Sequence, residues 1–344
     1  MNPASGDATV PSPWHHLPVL VDEVTTGLSV ARGGVYLDGT LGDGGHSHAI
    51  LRFLSEPGST ESTGPQRGSH QIAPGLVLGI DLDGQAISEA TRRLESFGPT
   101  FRAIQGNYAD MVSLASRHGV RQVDGVLLDL GFSSRQVDRP GYGLSFQNDE
   151  PLDMRYDRTQ EITAANLVNE SSESDLSDLF RRLGEEPRAR ALARAIVRER
   201  SVRPIATTGE LTALVERVVG RKRGHRIHPA TRVFQALRIA VNRELENLQA
   251  GLEAAVDLLR PEGRLAVISY HSLEDRIVKN FLAHRSATCV CPPGLPQCVC
   301  GQEPDLAIVN RRVIRPSGEE VAFNPRSRSA RLRLARRIQS GLRI

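Results

Sequence analysis

Two kinds of hydrophobic spacing alternate along the first third of the chain. Short apolar runs at 35–38 (Val-Tyr-Leu-Asp), 76–81 (Leu-Val-Leu-Gly-Ile-Asp) and 124–129 (Asp-Gly-Val-Leu-Leu-Asp) each end on an acid. Runs of this length with no polar alternation mark strands buried on both faces, as in parallel sheets. Between them, Ser47 to Ser55 and Gln85 to Phe97 carry helical spacing, with Ile87, Ala90, Leu94 and Phe97 on one stripe. The order β-α-β-α-β predicts an α/β fold with a doubly wound sheet. Another run, Arg264 to Ser269, follows a Pro-Glu-Gly turn at 261–263 and is predicted to be a later strand of that sheet.

From about Arg139 to Asn242 the rhythm changes. Arg188 to Arg200 and Thr208 to Val219 are helical in spacing and no strand-like run intervenes. This predicts an inserted, mostly helical domain over 139–242, with 14–138 and 243–344 forming the sheet domain. A chain of 344 residues is long for one core, which agrees with two units. The Ser-, Gly-, Pro- and Thr-rich stretch 56–75 reads as a mobile surface loop, and residues 1–13 as a disordered leader.

Composition narrows the class. Hydrophobic content of 39% with 24% charged residues excludes global disorder. No run of about 18 apolar residues is present. The leader has neither a basic start nor an apolar core. The expectation is a cytoplasmic protein with no membrane partner. The net charge of +3 is unevenly spread. Residues 181–243 hold 16 arginines and lysines against 5 acids, and residues 311–344 hold 10 arginines against 2. Two separated basic segments favour a polyanionic partner over two solvated faces.

The segment Asp38-Gly-Thr-Leu-Gly-Asp-Gly-Gly-His-Ser47 follows the first strand and opens a helix. Its glycines allow a tight turn and close approach to a ligand. The dinucleotide pattern G-x-G-x-x-G is not met, because Ser47 stands where its last glycine would be. Asp81 ends the second strand, where a carboxylate can accept from both ribose hydroxyls of an adenosine. NAD and S-adenosyl-L-methionine share that ribose, but the methionine end carries no phosphates to cradle. Tyr108, in Gln105-Gly-Asn-Tyr108, can flank an adenine, and Asp129 ends the third apolar run. Three strand ends thus converge where open α/β sheets bind ligands.

All four cysteines fall in Cys289-Val-Cys-Pro-Pro-Gly-Leu-Pro-Gln-Cys-Val-Cys300. This crowding is a poor layout for a disulfide-stapled fold. The C-x-C, six residues, C-x-C spacing departs from the usual C-x-x-C knuckle. Unliganded thiols are the expectation, with a four-thiolate zinc loop as the alternative, and no metal ligand is assigned.

Six blocks in order resemble a known family, the bacterial 16S ribosomal RNA cytosine-N4 methyltransferases. They are His16-Leu-Pro-Val-Leu-Val-Asp-Glu-Val, the Asp38 to Ser47 turn, Asp124-Gly-Val-Leu-Leu-Asp-Leu-Gly-Phe-Ser-Ser, Pro151-Leu-Asp-Met-Arg, His228-Pro-Ala-Thr-Arg-Val-Phe-Gln-Ala-Leu-Arg and Ser269-Tyr-His-Ser-Leu-Glu-Asp-Arg. The resemblance spans nearly the whole chain. It implies a Rossmann-like class I methyltransferase sheet interrupted by a helical domain, using S-adenosyl-L-methionine. It implies methylation of a cytidine N4 amine in 16S ribosomal RNA, with the small ribosomal subunit as partner. It assigns cofactor contacts to Gly44, Gly45, His46, Asp81, Tyr108, Asp129 and Gln136. His46 and Gln136 rest on the resemblance alone.

Asp129 is also the expected catalytic residue, holding the cofactor and accepting a hydrogen of N4. Related amine methyltransferases carry an Asp/Asn/Ser-Pro-Pro-aromatic loop at this place, whereas here Asp129 leads into Leu-Gly-Phe-Ser-Ser. His271 and Asp275 follow the later strand, and either face the same cleft or cap the next helix. Three alternatives stay open: another RNA, DNA or protein acceptor, a noncatalytic RNA-binding assembly factor, and an NAD-dependent dehydrogenase.

Overall fold

The computed structural model describes residues 17–55, 74–131, 141–220, 228–292 and 297–339. The expectations for the leader, for the 56–75 loop up to residue 73 and for Gln136 lie outside the described residues. Seven strands form one sheet: β1 (Val35–Asp38), β2 (Leu76–Asp81), β3 (Phe101–Gln105), β4 (Val123–Asp129), β5 (Leu259–Ser269), β6 (Leu306–Ile308) and β7 (Arg331–Arg337). Their order is β3-β2-β1-β4-β5-β7-β6. Pairing is parallel from β3 through β5, while β7 runs antiparallel to β5 and to β6. This is the expected doubly wound α/β sheet.

The uninterrupted apolar runs are explained by burial on both sides. Leu37, Leu78, Ile80, Val126, Leu128 and Val267 face one core, while Tyr36, Val77, Leu127, Ala266 and Ile268 face the other. The first core is closed by α4 (Met111–Arg117), α10 (Glu244–Leu258) and α11 (Ser272–Arg285), through residues such as Leu114, Leu252 and Val278. The second is closed by α1 (Val21–Gly27), α2 (Gly45–Ser55) and α3 (Gly84–Arg93), through Val24, Ile50 and Ala90.

Most expected boundaries fall within two residues of those observed, and two lie further off. α3 stops at Arg93 and gives way to a 3-10 turn over Glu95–Thr100, because Gly98 takes φ 56° and Pro99 follows it. The stripe survives the break, since Leu94 is buried and Ile87 and Phe97 pack on the same core. The later strand starts at Leu259 rather than Arg264. The Pro261–Gly263 turn sits inside it as a register shift opposite Val123 and Gly125, with Glu262 at φ 71°.

A separate apolar cluster is built from residues 152–241. It comprises α5 (Ala164–Glu170), α6 (Glu173–Arg182), α7 (Ala189–Arg200), α8 (Thr208–Val219) and α9 (Ala230–Asn242). Thr163, Ser172 and Thr207 cap the backbone at the starts of α5, α6 and α8. Its one strand-like contact among the described residues is the isolated bridge between Pro151 and Thr207. α9 runs into α10 through Arg243 alone, in the left-handed conformation at φ 49°. A short α12 (Gly318–Phe323) lies between β6 and β7. No helix among the described residues is long and apolar enough to cross a membrane.

The basic segments are partly neutralised by acids nearby in the fold. Arg181, Arg194, Arg203 and Arg217 pair with Asp178, Glu173, Glu210 and Glu199. Each arginine in these pairs is exposed, so the pairs add little stability and leave the charge accessible to a polyanion. In the tail the picture changes, because Arg331 and Arg333 lie on β7 and both bind Asp275.

Candidate active site

β2 and β3 lie on one side of β1, and β4 and β5 on the other. The chain therefore reverses direction across the sheet between β1 and β4, and the carboxyl ends of these strands open a crevice. A cleft of about 860 Å³ occupies it. Gly45, His46, Asp81, Tyr108 and Asp129 line this cleft together. Gly44 does not line it. At φ 82° it turns the chain so that α2 begins at Gly45, and a Cβ there would lie 3.0 Å from Leu94 Cδ1.

The turn after β1 is held by carboxylates. Asp38 is buried and accepts from the Ser47 hydroxyl at 2.8 Å and from Thr40 N at 3.2 Å. Ser47 thus anchors the base of the turn, which is the physical reason that this position is not glycine. Thr40 Oγ1 in turn accepts from Asp129 N at 2.6 Å, joining the β1 turn to the end of β4.

Asp81 accepts from Gly42 N at 2.8 Å and from Asp83 N at 2.9 Å, one on each oxygen. A carboxylate has about four acceptor directions, so two remain for ligand hydroxyls. Burial pushes its pKa up to about 6, although both backbone donors pull the other way. His46 is only 6% exposed. Its Nε2 lies 3.4 Å from Asp129 Oδ2, while Nδ1 has no hydrogen-bond partner among the described residues. Burial works against its charge, but the Asp129 and Asp38 carboxylates outweigh this and raise its pKa. A buried ring nitrogen without a partner is costly unless a ligand completes it.

Tyr108 packs against α10, where a Cβ on Gly251 would lie 2.4 Å from its Cδ2. The glycine makes room for the ring. Asp129 Oδ1 accepts from the Tyr270 hydroxyl at 2.9 Å. Tyr270 directly follows β5 and was not singled out from the sequence, although the strand-end rule that found Asp81 and Asp129 applies to it equally. His271 is the N-cap of α11, with Nδ1 accepting from Glu274 N at 3.4 Å, and it also lines the cleft. Asp275 is absorbed by Arg331 and Arg333 on β7, so of this pair only His271 reaches the cleft.

The opposite wall comes from the helical region and was not foreseen. Leu144, Phe146, Phe234, Gln235 and Arg238 line it. Phe146 stacks on His228 with centroids 4.7 Å apart and meets Phe234 edge-on at 5.5 Å. Arg238 is buried and grips Glu244 with two hydrogen bonds of 2.8 and 3.0 Å, and Tyr156 donates to the same carboxylate at 3.0 Å. The cleft thus has a polar, carboxylate-bearing floor and a partly aromatic wall.

Known proteins match this chain closely. A relative from Thermomicrobium roseum, named ribosomal RNA small subunit methyltransferase H, is 51% identical over 323 residues, which is 94% of each chain. One of the same name from Dehalococcoides mccartyi is 49% identical over 325 residues, covering 94% of this chain and 87% of that protein. Among solved structures, an rRNA methylase from Streptococcus thermophilus aligns over 92% of this chain and 95% of its own, with a TM-score of 0.39 and 11% identity. The family profile described as the MraW methylase family matches residues 13–338, and this chain belongs to that family.

Proposed function

We propose that the chain transfers the methyl group of S-adenosyl-L-methionine to the N4 amine of a cytidine in 16S ribosomal RNA of the small subunit. The observation that carries this reading is the composition of one cleft, with strand-end carboxylates on its floor and a partly aromatic wall. Its support in the chain's relatives is the shared name, which specifies a small-subunit ribosomal RNA methyltransferase. N4 and cytosine come from the resemblance of the six sequence blocks.

The residues fit the cofactor. Asp81 has acceptor capacity for a ribose, Tyr108 offers a ring surface, Gly45 opens the N-terminal turn of α2, and His46 has an Nδ1 without a partner among the described residues. Gly44 acts by shaping the turn, and Gln136 belongs to the same proposed set. When bound, the cofactor supplies a methyl group already activated on a sulfonium. What remains for the protein is to place the amine in line with it, which is where most of the acceleration arises.

Asp129 serves as the acceptor for an N4 hydrogen. The N4 lone pair is delocalised into the ring, and accepting one of its hydrogens favours the pyramidal, nucleophilic form. Tyr270 fixes the Asp129 carboxylate from one side, and His46 flanks it on the other. Phe146 and Phe234 offer aromatic surface for an extruded base, since a paired cytosine hides its amine. The helical unit 139–242 supplies that wall and, through its exposed arginines, contacts to phosphates.

The test is transfer of labelled methyl from S-adenosyl-L-methionine to small subunits lacking their own modification, followed by nucleoside mass spectrometry. Label in N4-methylcytidine is the expected result. Cofactor binding with no label in any ribosomal nucleoside would remove the substrate assignment and leave the fold untouched.

The Asp81 environment gives a pH signature. Ribose hydroxyls donate to the ionised carboxylate, so cofactor affinity is expected to fall as pH drops through about 6. Below that value the loss approaches about ten-fold per pH unit. The fold does not weaken through this group over the same range. A carboxyl whose folded pKa of about 6 exceeds the ordinary 3.8 takes up its proton more readily when folded, so acidification from 6 towards 4 favours the native state. Calorimetric titration from pH 5 to 7 checks this, and an equally steep profile in Asp81→Asn would show that another group is responsible.

A further inference from the structure

We propose that Cys289, Cys291, Cys298 and Cys300 bind a single zinc ion through four thiolates, forming a structural metal site between α11 and β6. None of the four lines the active cleft. Spacing alone favours unliganded thiols, but the geometry points elsewhere.

The sulfur of Cys298 lies 3.5 Å from that of Cys289, 3.5 Å from Cys300 and 3.8 Å from Cys291, and Cys289 and Cys300 are 3.9 Å apart. A tetrahedral zinc with Zn–S bonds of about 2.3 Å requires sulfur separations of about 3.8 Å. These four separations bracket that value, and all six lie within 4.8 Å, so the sulfurs are gathered closely enough for one ion. They are far from disulfide distance, which is about 2.05 Å.

Backbone amides complete the arrangement. Val290 N donates to Cys300 Sγ and Val299 N donates to Cys291 Sγ, both at 3.4 Å, so the middle residue of each C-x-C arm reaches across to the other arm. Cys291 N donates to Cys289 Sγ at 3.4 Å. Amide donors directed at sulfur stabilise thiolate over thiol, as outer-shell partners of a metal do. Among the described residues of the loop, Val290 is 42% exposed and Val299 79%, so neither valine gathers the sulfurs by burial. A metal is an ordinary means of ordering a loop whose described side chains are exposed.

The base of the loop is clamped independently. Arg285 at the end of α11 binds both oxygens of Asp305, and Asp305 N returns a hydrogen bond of 3.1 Å to Arg285 O. The two ends of the loop are thus fixed whether or not the ion is bound. Four thiolates select zinc over magnesium or calcium by softness. They also leave no open coordination position, which makes the site structural rather than catalytic.

The experiment uses the full chain, purified without a polyhistidine tag in reducing, chelator-free buffer, with metal measured by plasma emission. One zinc per chain is expected, falling to about a tenth or less in Cys298→Ser and in the Cys289→Ser/Cys298→Ser double variant. Circular dichroism and cofactor affinity should match the parent, since the loop base and the cleft do not depend on these sulfurs. Cobalt(II) added to metal-stripped protein should give thiolate charge-transfer bands and the intense visible bands of a tetrahedral site. No zinc and no cobalt bands, with four titratable thiols, would overturn the proposal. Recovery of two disulfides in place of metal would overturn it equally.

Discussion

Asp129→Ala is expected to lower methyl transfer by about 10²–10⁴-fold, the range typical of losing a positioned proton acceptor. The carboxylate lies at the end of β4, bonded by Tyr270 and flanked by His46, at the point where the β1 and β4 turns meet. In the proposed role its removal takes away the acceptor for an N4 hydrogen, and it frees the Tyr270 hydroxyl. Tyr270→Phe removes only the orienting bond, so a smaller loss is expected there, confined to turnover. Single-turnover rates beside cofactor affinities separate the two effects. Full turnover in Asp129→Ala with normal cofactor affinity would eliminate the catalytic role.

Arg238→Met is expected to cost about 3–5 kcal/mol of stability, the usual result of stripping one partner from a buried ion pair. The side chains of Arg238 and Glu244 are 10% and 12% exposed, and two hydrogen bonds join them across Arg243, the single residue linking α9 to α10. Burial opposes the charge of Arg238, but the Glu244 carboxylate outweighs it and raises the pKa. Loss of the guanidinium leaves that carboxylate buried beside the Tyr156 hydroxyl. The double variant Arg238→Met/Glu244→Gln removes the stranded charge and should recover part of the loss. Denaturant unfolding of the four proteins forms the test cycle. A double variant whose loss equals the sum of the two single losses would show that the pair carries no coupling.

Several features of the fold could be read directly. β1 and β2 coincide with their apolar runs because strands buried on both faces have no polar interruptions to blur their limits. α3 was extended too far because its stripe continues through the Gly98–Pro99 break. β7 was hidden by its charge. Arg331-Leu-Arg-Leu334 alternates strictly, sending Leu332 and Leu334 into the core and Arg331 and Arg333 to Asp275, but the density of arginine over 311–344 reads as a basic segment for a polyanion. In the cleft, Asp81 and Asp129 were legible because carboxyl ends of parallel strands bind ligands by rule. Phe146, Phe234 and Arg238 were not. They come from a region whose docking against the sheet depends on long-range contacts such as the Tyr142 hydroxyl to Asp83 Oδ2, which leave no local pattern.

The two ends of the described chain are tied together beside the cleft. Leu20 N donates to Glu320 Oε1 at 2.8 Å, and Asn324 Nδ2 donates to Leu17 O at 3.2 Å, contacts that span about 300 positions. Pro18 and Val19 line the cleft from one end of the chain, and Arg326 and Ser329 from the other. During synthesis the early strands can pair long before these last residues emerge, yet the cleft wall stays open until they do. A nascent chain stalled before Glu320 would lack β7, which joins β6 to β5, and would hold only the parallel strands and an unfinished pocket. Competence is therefore acquired late and all at once, after most of the sheet has formed.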